Sequence, residues 1–273
     1  MAECTHDCKT CGASCGERKE DFDFRAKLNE HSRVGKVVAV ASGKGGVGKS
    51  LVACLIAVGC AKRGLKAAIL DADITGPSIP RAFGIFGGAL QDEKGIIPSR
   101  SNLGVEVMSL NLLMNDPSDP VVWRGPVIAG AVQQFWTDVN WGDVDVMIVD
   151  MPPGTGDVPL TVFQSLPVDG VVVVSTPQAL VGMIVEKSVK MAGMLKRPVL
   201  GFVENMSYFT CPKCGEKLNV FGESSIEETA RKYGVKTVCR LPADPEWAKA
   251  VDAGAVESID CPDLLPIIDA IAG

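Results

Sequence analysis

Gly43-Lys44-Gly45-Gly46-Val47-Gly48-Lys49-Ser50 fits the phosphate-binding pattern G-x-x-x-x-G-K-[ST] at every fixed position. An apolar, β-branched run precedes it (Lys36-Val37-Val38-Ala39-Val40-Ala41-Ser42), and an apolar helical run from Leu51 to Arg63 follows, closed by Gly64. Strand, glycine loop and helix in that order give the pattern a mechanism. Glycines let backbone N–H groups turn inward onto phosphate oxygens, and the helix N-terminus adds partial positive charge. In that geometry Gly43, Gly45, Gly46, Val47 and Gly48 line the phosphates, Lys49 reaches the terminal phosphates and Ser50 holds Mg²⁺.

Lys44 is a second cation inside the loop, which the basic pattern does not require. It reads either as a surface lysine at the loop edge or as a working residue. The second reading comes from a resemblance. The stretch Gly43–Ser50 is similar to the deviant loop of the MinD/ParA/nitrogenase-iron-protein class of ATPases. That resemblance implies that Lys44 crosses a dimer interface to the partner's nucleotide, with ATP joining two subunits.

The remaining elements alternate. Predicted strands cover 37–42, 67–71, 105–109, 144–150, 170–175, 198–204 and 237–241, and predicted helices cover 50–63, 128–138, 180–196, 226–233, 245–252 and 262–272. Strands such as Val171-Val172-Val173-Val174 lack polar alternation, the mark of strands covered on both faces. The expected fold is therefore α/β, a mainly parallel sheet between helix layers. The segment from Gly84 to Pro120, rich in Gly, Pro, Ser and Asn, reads as loops and short elements. In such sheets ligands bind beyond the carboxyl ends of the strands, and the polar motifs fall there.

Leu70-Asp71-Ala72-Asp73 ends the second strand, so both carboxylates can face a nucleotide. Asp73 is the candidate for positioning the attacking water and Asp71 its support, a role matching switch I of the deviant-loop class; two solvated acids in a turn are the plain alternative. Val146-Met147-Ile148-Val149-Asp150 is an apolar strand ending in Asp, the Walker B arrangement, and places Asp150 on Mg²⁺ through water. The following Met151-Pro152-Pro153-Gly154-Thr155-Gly156-Asp157 reads as switch II. Asn205, read as ending the strand Val199–Glu204, can pair with an adenine edge. Asp244, in Pro242-Ala243-Asp244 after the last strand, can wall the same base site; ordinary turn chemistry explains both equally well.

The chain has 273 residues, enough to bury about three quarters of its unfolded surface. The net charge is −6 with Lys and Arg dispersed, so no basic tract points to nucleic acid or an anionic membrane. Met1-Ala2-Glu3-Cys4 lacks the pattern of a secretory signal, and the longest apolar helical run is too short to span a bilayer. A cytoplasmic protein is expected. Ten cysteines are many for a reducing compartment, where they serve as thiols or metal ligands. Cys54, Cys60 and Cys239 fall in apolar elements and read as core, while Cys261 begins the last predicted helix.

Cys211-Pro212-Lys213-Cys214-Gly215 lets two thiolates from one turn bind one metal or cluster edge. A redox pair or half of a zinc ribbon are the alternatives. A redox pair opens a helix, whereas Gly215-Glu216-Lys217 reads as a turn, and no second C-x₂-C follows downstream. A two-fold dimer would supply the two missing ligands.

Asp73-Ile74-Thr75-Gly76-Pro77-Ser78-Ile79-Pro80, Trp123-Arg124-Gly125-Pro126, Asp150–Asp157 and Glu204-Asn205-Met206-Ser207 with Cys211–Cys214 occur in order. Together they resemble the Mrp-type iron–sulfur cluster carrier ATPases, over roughly Val34 to Gly273. The resemblance implies an ATP-dependent homodimer and slow ATP hydrolysis. It also implies a labile [4Fe–4S] cluster bridged by Cys211 and Cys214 of each subunit and handed to apo iron–sulfur proteins. Residues 1–33 are expected to form a cysteine-rich extension and tether, and residues 34–273 the ATPase domain. Cys4, Cys8, Cys11 and Cys15 can wrap one cubane cluster or one Zn²⁺; their spacing is tighter than is usual for the scaffold branch, and His6 reads as a bystander. Two rival functions share the loop. One is a MinD/ParA-like positioning ATPase, disfavoured by a last helix without Lys or Arg. The other is a non-catalytic, zinc-binding adaptor with nucleotide as a structural ligand.

Overall fold

Strands made of unbroken apolar residues need cover on both faces, and the computed structural model provides it. It describes residues 25–73, 78–114, 125–154, 156–177 and 181–273. The first four cysteines, Thr75, Trp123, Arg124 and Thr155 therefore lie outside the described residues.

The strands are β1 (Arg33–Ala41), β2 (Ala67–Asp71), β3 (Leu90–Asp92), β4 (Gly95–Ile97), β5 (Ser99–Arg100) and β6 (Glu106–Met108). After them come β7 (Asp143–Asp150), β8 (Gly170–Ser175), β9 (Val199–Thr210), β10 (Lys217–Leu218) and β11 (Val238–Pro242). The helices are α1 (Lys49–Lys62), α2 (Ile79–Ala82), α3 (Gly125–Thr137), α4 (Asp157–Ser165), α5 (Val181–Met194), α6 (Ile226–Tyr233), α7 (Pro245–Asp252) and α8 (Leu265–Ala272).

Among the described residues, nine strands form one sheet in the order β10-β9-β8-β1-β7-β2-β6-β5, with β11 also paired to β9. The pairings among β1, β2, β6, β7, β8, β9 and β11 are parallel. Within this sheet only β5 and β10, at the two ends of that order, pair antiparallel, and β3 and β4 form a separate antiparallel pair. Alternate residues of each strand enter opposite core layers. Val37, Ala39 and Ala41 of β1 pack with α3, α4, α5 and α6, while Val38 and Val40 pack with α1 and α8. Helix α1 is apolar nearly all round and buries nine of its residues, from Lys49 to Cys60, as a helix sunk between sheet and outer layer must. Cys54, Cys60 and Cys239 are buried in this layer.

Helix α8 packs closely over two glycines, and at Gly201 the Thr237 carbonyl, 2.9 Å from a Cβ position, also leaves no room for a side chain. A side chain at Gly59 of α1 would meet Ile268 Cδ1 at 2.3 Å, and one at Gly201 of β9 would meet Ile267 Cδ1 at 2.3 Å. Ile267, Ile268 and Ile271 are accordingly buried.

Three expectations need correction, and one helix is unexpected. Asn205 does not end a strand: β9 runs on to Thr210, because Glu204, Asn205 and Ser207 find buried partners that let polar residues continue it. The segment 262–272 is not one helix. A 3₁₀ turn at Pro262–Leu264 precedes α8, and Pro266, lacking an N–H, cannot donate the bond that would join them. The unexpected helix is α4, which starts directly after Gly156 with Pro159 in its first turn, a position that tolerates proline. The residues after Gly215 are not only a turn, since Lys217 and Leu218 pair with Thr210 and Phe209.

Candidate functional site

The first part of the site is the loop from Ser42 to Ser50, which leaves β1 at the carboxyl edge of the sheet. Gly46 and Gly48 have φ of +77° and +80°, which a residue with a Cβ rarely adopts. Gly48 caps α1 and aims that helix's N-terminus into the loop. Ser42 Oγ donates to the Lys44 carbonyl at 3.0 Å. The Gly154 N–H donates to the Ser42 carbonyl at 2.8 Å, so the segment after β7 is tied to the start of the loop. The cradle is thus built from backbone, with Lys44 exposed on its outer side.

Beneath it, the ends of β2 and β7 meet. Asp71 and Asp150 are register partners, and both are buried. Lys49 Nζ donates to Asp150 Oδ1 at 2.7 Å and lies 3.3 Å from Asp73 Oδ2. Ser50 Oγ donates to Asp150 Oδ2 at 2.6 Å. Hydroxyl and carboxylate side by side, with a second carboxylate behind a lysine, are the hard oxygen donors that Mg²⁺ takes. Burial pushes the Asp150 carboxyl up, while Lys49 and Ser50 pull it down. Burial, and then the Asp150 charge, pushes Asp71 up to about 8, opposed by the Ser109 hydroxyl and Lys49. Ser109 Oγ donates to Asp71 Oδ2 at 2.9 Å, and Asp71 Oδ1 accepts from the Asp73 N–H at 3.1 Å.

Sequence reasoning missed Ser109. It sits just after β6, the neighbour of β2, so the strand-end rule that found the aspartates could also have found it.

Asn205 is buried, and its Nδ2 donates to the Val47 carbonyl at 2.9 Å. It also packs on Gly48, where any side chain would fall 2.1 Å from that nitrogen. Asn205 therefore braces the phosphate loop. Its placement depends on an irregularity: β11 advances from Arg240 to Pro242 while β9 advances from Glu204 to Tyr208. Two extra residues bulge out of β9, and Met206 takes a φ of +55° there. A non-glycine residue in that region costs about 1–3 kcal/mol, and such strain clusters at working sites. Asp244 caps α7, accepting from the Glu246 N–H at 2.8 Å. Asn205, Met206, Phe209, Asp244, Trp247 and Leu51 line a mainly apolar cavity of about 340 Å³. Phe209, Trp247 and Leu51 carry no motif, and nothing in the sequence singled them out.

The second part of the site is the hairpin of β9 and β10. Its turn is Cys211–Glu216. The Cys211 N–H donates to the Glu216 carbonyl at 2.9 Å, the Gly215 N–H donates to the Cys211 carbonyl at 2.8 Å, and Gly215 has a φ of +77°. The Lys213 and Cys214 backbone N–H groups, and then the Cys214 thiol, hold the Cys211 thiol below the ordinary value. Backbone donors aimed at sulfur suit a thiolate bound to metal. Cys214 is exposed and Cys211 half-buried. Among the described residues no three His, Cys, Asp or Glu side chains gather into a metal-holding group, so Cys211 and Cys214 form a pair. The buried thiols differ, since burial raises Cys60 and Cys239 to about 11. No helix among the described residues is long and apolar enough to cross a membrane.

Comparison with known proteins agrees with this geometry. Residues 33–267 match the family described as the NUBPL iron-transfer P-loop NTPase, within the ParA group. An iron–sulfur cluster carrier protein of Methanocaldococcus jannaschii is 40% identical over 268 residues, covering 96% of this chain and 92% of its own length. The iron–sulfur cluster transfer protein NUBPL of Dictyostelium discoideum is 38% identical over 229 residues, covering 83% of this chain and 71% of its own. A nucleotide-binding protein of Archaeoglobus fulgidus, solved with ADP, superposes with a TM-score of 0.77 at 45% identity, over 85% of this chain and 91% of that one. The MinD cell division protein of Aquifex aeolicus shares the fold, with a TM-score of 0.56 at 18% identity over 87% of this chain and 95% of its own. A backbone phosphate cradle, a lysine among strand-end aspartates and a cysteine pair on a hairpin thus occur in a chain that belongs to the iron–sulfur cluster carrier family of NUBPL-type P-loop NTPases.

Proposed function

We propose that the protein is an ATP-dependent iron–sulfur cluster carrier that works as a homodimer. The observation that carries this reading is the hairpin tip, where Cys211 and Cys214 stand together without a third ligand among the described residues. Two chains related by a two-fold axis supply four thiolates, the set that a [4Fe–4S] cluster takes. The cluster is cargo, bound between subunits and passed to apo iron–sulfur proteins. Cys4, Cys8, Cys11 and Cys15 form a second site in an N-terminal extension, residues 1–33, ahead of the ATPase domain. That site takes a cluster or zinc.

ATP lies along the loop Gly43–Ser50, with its base in the cavity between Asn205 and Asp244. Mg²⁺ would be held by Ser50 and, through water, by Asp150; bound there, it neutralises charge on the phosphates. Hydrolysis depends on positioning rather than covalent chemistry. Lys49 holds the phosphates, Asp73 orients the attacking water, and Lys44 reaches the partner's nucleotide. Asp71, fixed by Ser109, supports Asp73 through its backbone N–H. The fold also admits a positioning ATPase of the MinD kind. Against that reading, α8 spends its apolar face on the core, with Ile267, Ile268 and Ile271 buried.

The test separates the two lysines. Lys44→Ala is expected to bind Mg-ATP as wild type and lose turnover, whereas Lys49→Ala loses binding itself. Equal ATPase activity in both variants and wild type refutes the assignment.

A further inference from the structure

Glu204 and Asn205 are consecutive, and each is about 2% exposed, yet they serve different parts of the molecule. Asn205 reaches the Val47 carbonyl of the phosphate loop. The Glu204 carboxylate is held elsewhere: Ser224 Oγ, beyond β10, donates to Oε1 at 2.7 Å, and Ser207 Oγ, in β9, donates to Oε2 at 2.6 Å. Arg240 Nε, 3.5 Å from Oε2, donates to Ser207 Oγ at 2.8 Å. Ser224 lies on the chain returning from the hairpin, and its hydroxyl accepts from the Ile226 N–H at the start of α6. The carboxylate thereby ties the segment between β10 and α6, which follows the outgoing limb of the hairpin, to β9, its incoming limb, one residue from the brace on the phosphate loop.

A buried carboxylate is costly to desolvate, and an apolar side chain would serve a purely packing role at least as well. Between Glu204 and Tyr208 the strand bulges and Met206 is strained, and a strained stretch with few ladder bonds is the kind of segment that can rearrange while its flanks stay paired.

We propose that Glu204 is a positioning residue that links the cysteine hairpin to the phosphate loop, so that nucleotide in the loop changes the setting of Cys211 and Cys214. A nucleotide that draws in the loop moves the Val47 carbonyl, Asn205 follows it, and Glu204 passes the movement to Ser224 and the hairpin. By linkage, cargo on the cysteines changes nucleotide affinity by the same factor. The inference rests on the proposed nucleotide site, but not on what the cysteines carry.

The experiment uses the full chain, reduced and free of cluster, with iodoacetamide as probe. The alkylation rates of Cys211 and Cys214 are read by mass spectrometry with and without saturating Mg-ADP. In wild type, Mg-ADP is expected to change the rate about fivefold, the low end of ordinary coupling. Ser224→Ala, in a half-buried segment away from the nucleotide, is expected to abolish most of that response while calorimetry gives an unchanged Mg-ADP affinity. Glu204→Gln, which keeps one acceptor oxygen, is expected to retain part of it. Mg-ADP binding without any rate change in wild type overturns the inference, as does a full response in Ser224→Ala. Failure of wild type to bind Mg-ADP instead defeats the nucleotide site itself, and this inference with it.

Discussion

The nucleotide loop and the cysteine hairpin lie at the same edge of the sheet but are built in opposite ways. The loop is backbone over a buried floor: Lys49, Asp71 and Asp150 are nearly inaccessible, and each has its partners within one chain. The hairpin stands out from the sheet, held by two register pairs, and presents two thiols with nothing else to complete a metal site among the described residues. A self-sufficient site can bind its ligand in a monomer. A two-thiol half-site is completed only by further ligands, and under the proposed function these come from a second copy, so cargo binding there is tied to assembly while nucleotide binding is not.

The sharpest way to break this contrast is to remove the half-site. Cys211→Ser combined with Cys214→Ser is expected to lose about two iron atoms per chain, half of a four-iron cluster, after anaerobic reconstitution. Mg-ADP affinity of the cluster-free variant should stay within about twofold of cluster-free wild type, since neither cysteine contacts the loop and no cargo is present to act through the link. Unchanged iron and sulfide counts would show that the hairpin holds no cargo. Lys49→Ala attacks the other side. Losing about 2–3 kcal/mol of charge-assisted hydrogen bonding should weaken Mg-ADP binding about 100-fold by calorimetry.

Asn205→Ala probes the seam between the two regions. Removing one buried hydrogen bond of about 1 kcal/mol should loosen the loop and weaken Mg-ADP about fivefold, a smaller effect than losing Lys49. The smallest effect concerns acidity. Backbone donors hold Cys211 below the ordinary thiol value, so more of it is thiolate at a given pH. Its alkylation rate should therefore rise at lower pH than that of a free cysteine, while Cys54, Cys60 and Cys239 stay unmodified in the folded protein. Equal pH profiles for Cys211 and an unstructured thiol would remove the evidence that the turn is preset for metal.

Much of the nucleotide half is legible in the sequence, because glycine conformation and strand-end chemistry are local. Gly46, Gly48, Asp71 and Asp150 stand where loop pattern and strand rule put them. What the sequence hides is tertiary. Ser109 matters only because β6 lies beside β2. The run Glu204-Asn205-Met206-Ser207 reads as a strand end until its partners, buried Val47 and half-buried Ser224 and Arg240, are brought to it by the fold. Pro266 looks tolerable within one helix until the missing N–H splits it.

The bulge in β9 has a further consequence, visible in hydrogen exchange. From Phe202 to Glu204 the strand is flanked by β8 and β11, so those amides open only with the core. Beyond Met206 the strand keeps two pairs to β10, the Tyr208–Pro242 pair and the bond from the Ala243 N–H to the Tyr208 carbonyl. One continuous strand thus contains two stabilities, and slow exchange should give way to fast at Met206. The cysteines then belong to a unit that can open and close on its own while the nucleotide floor stays folded.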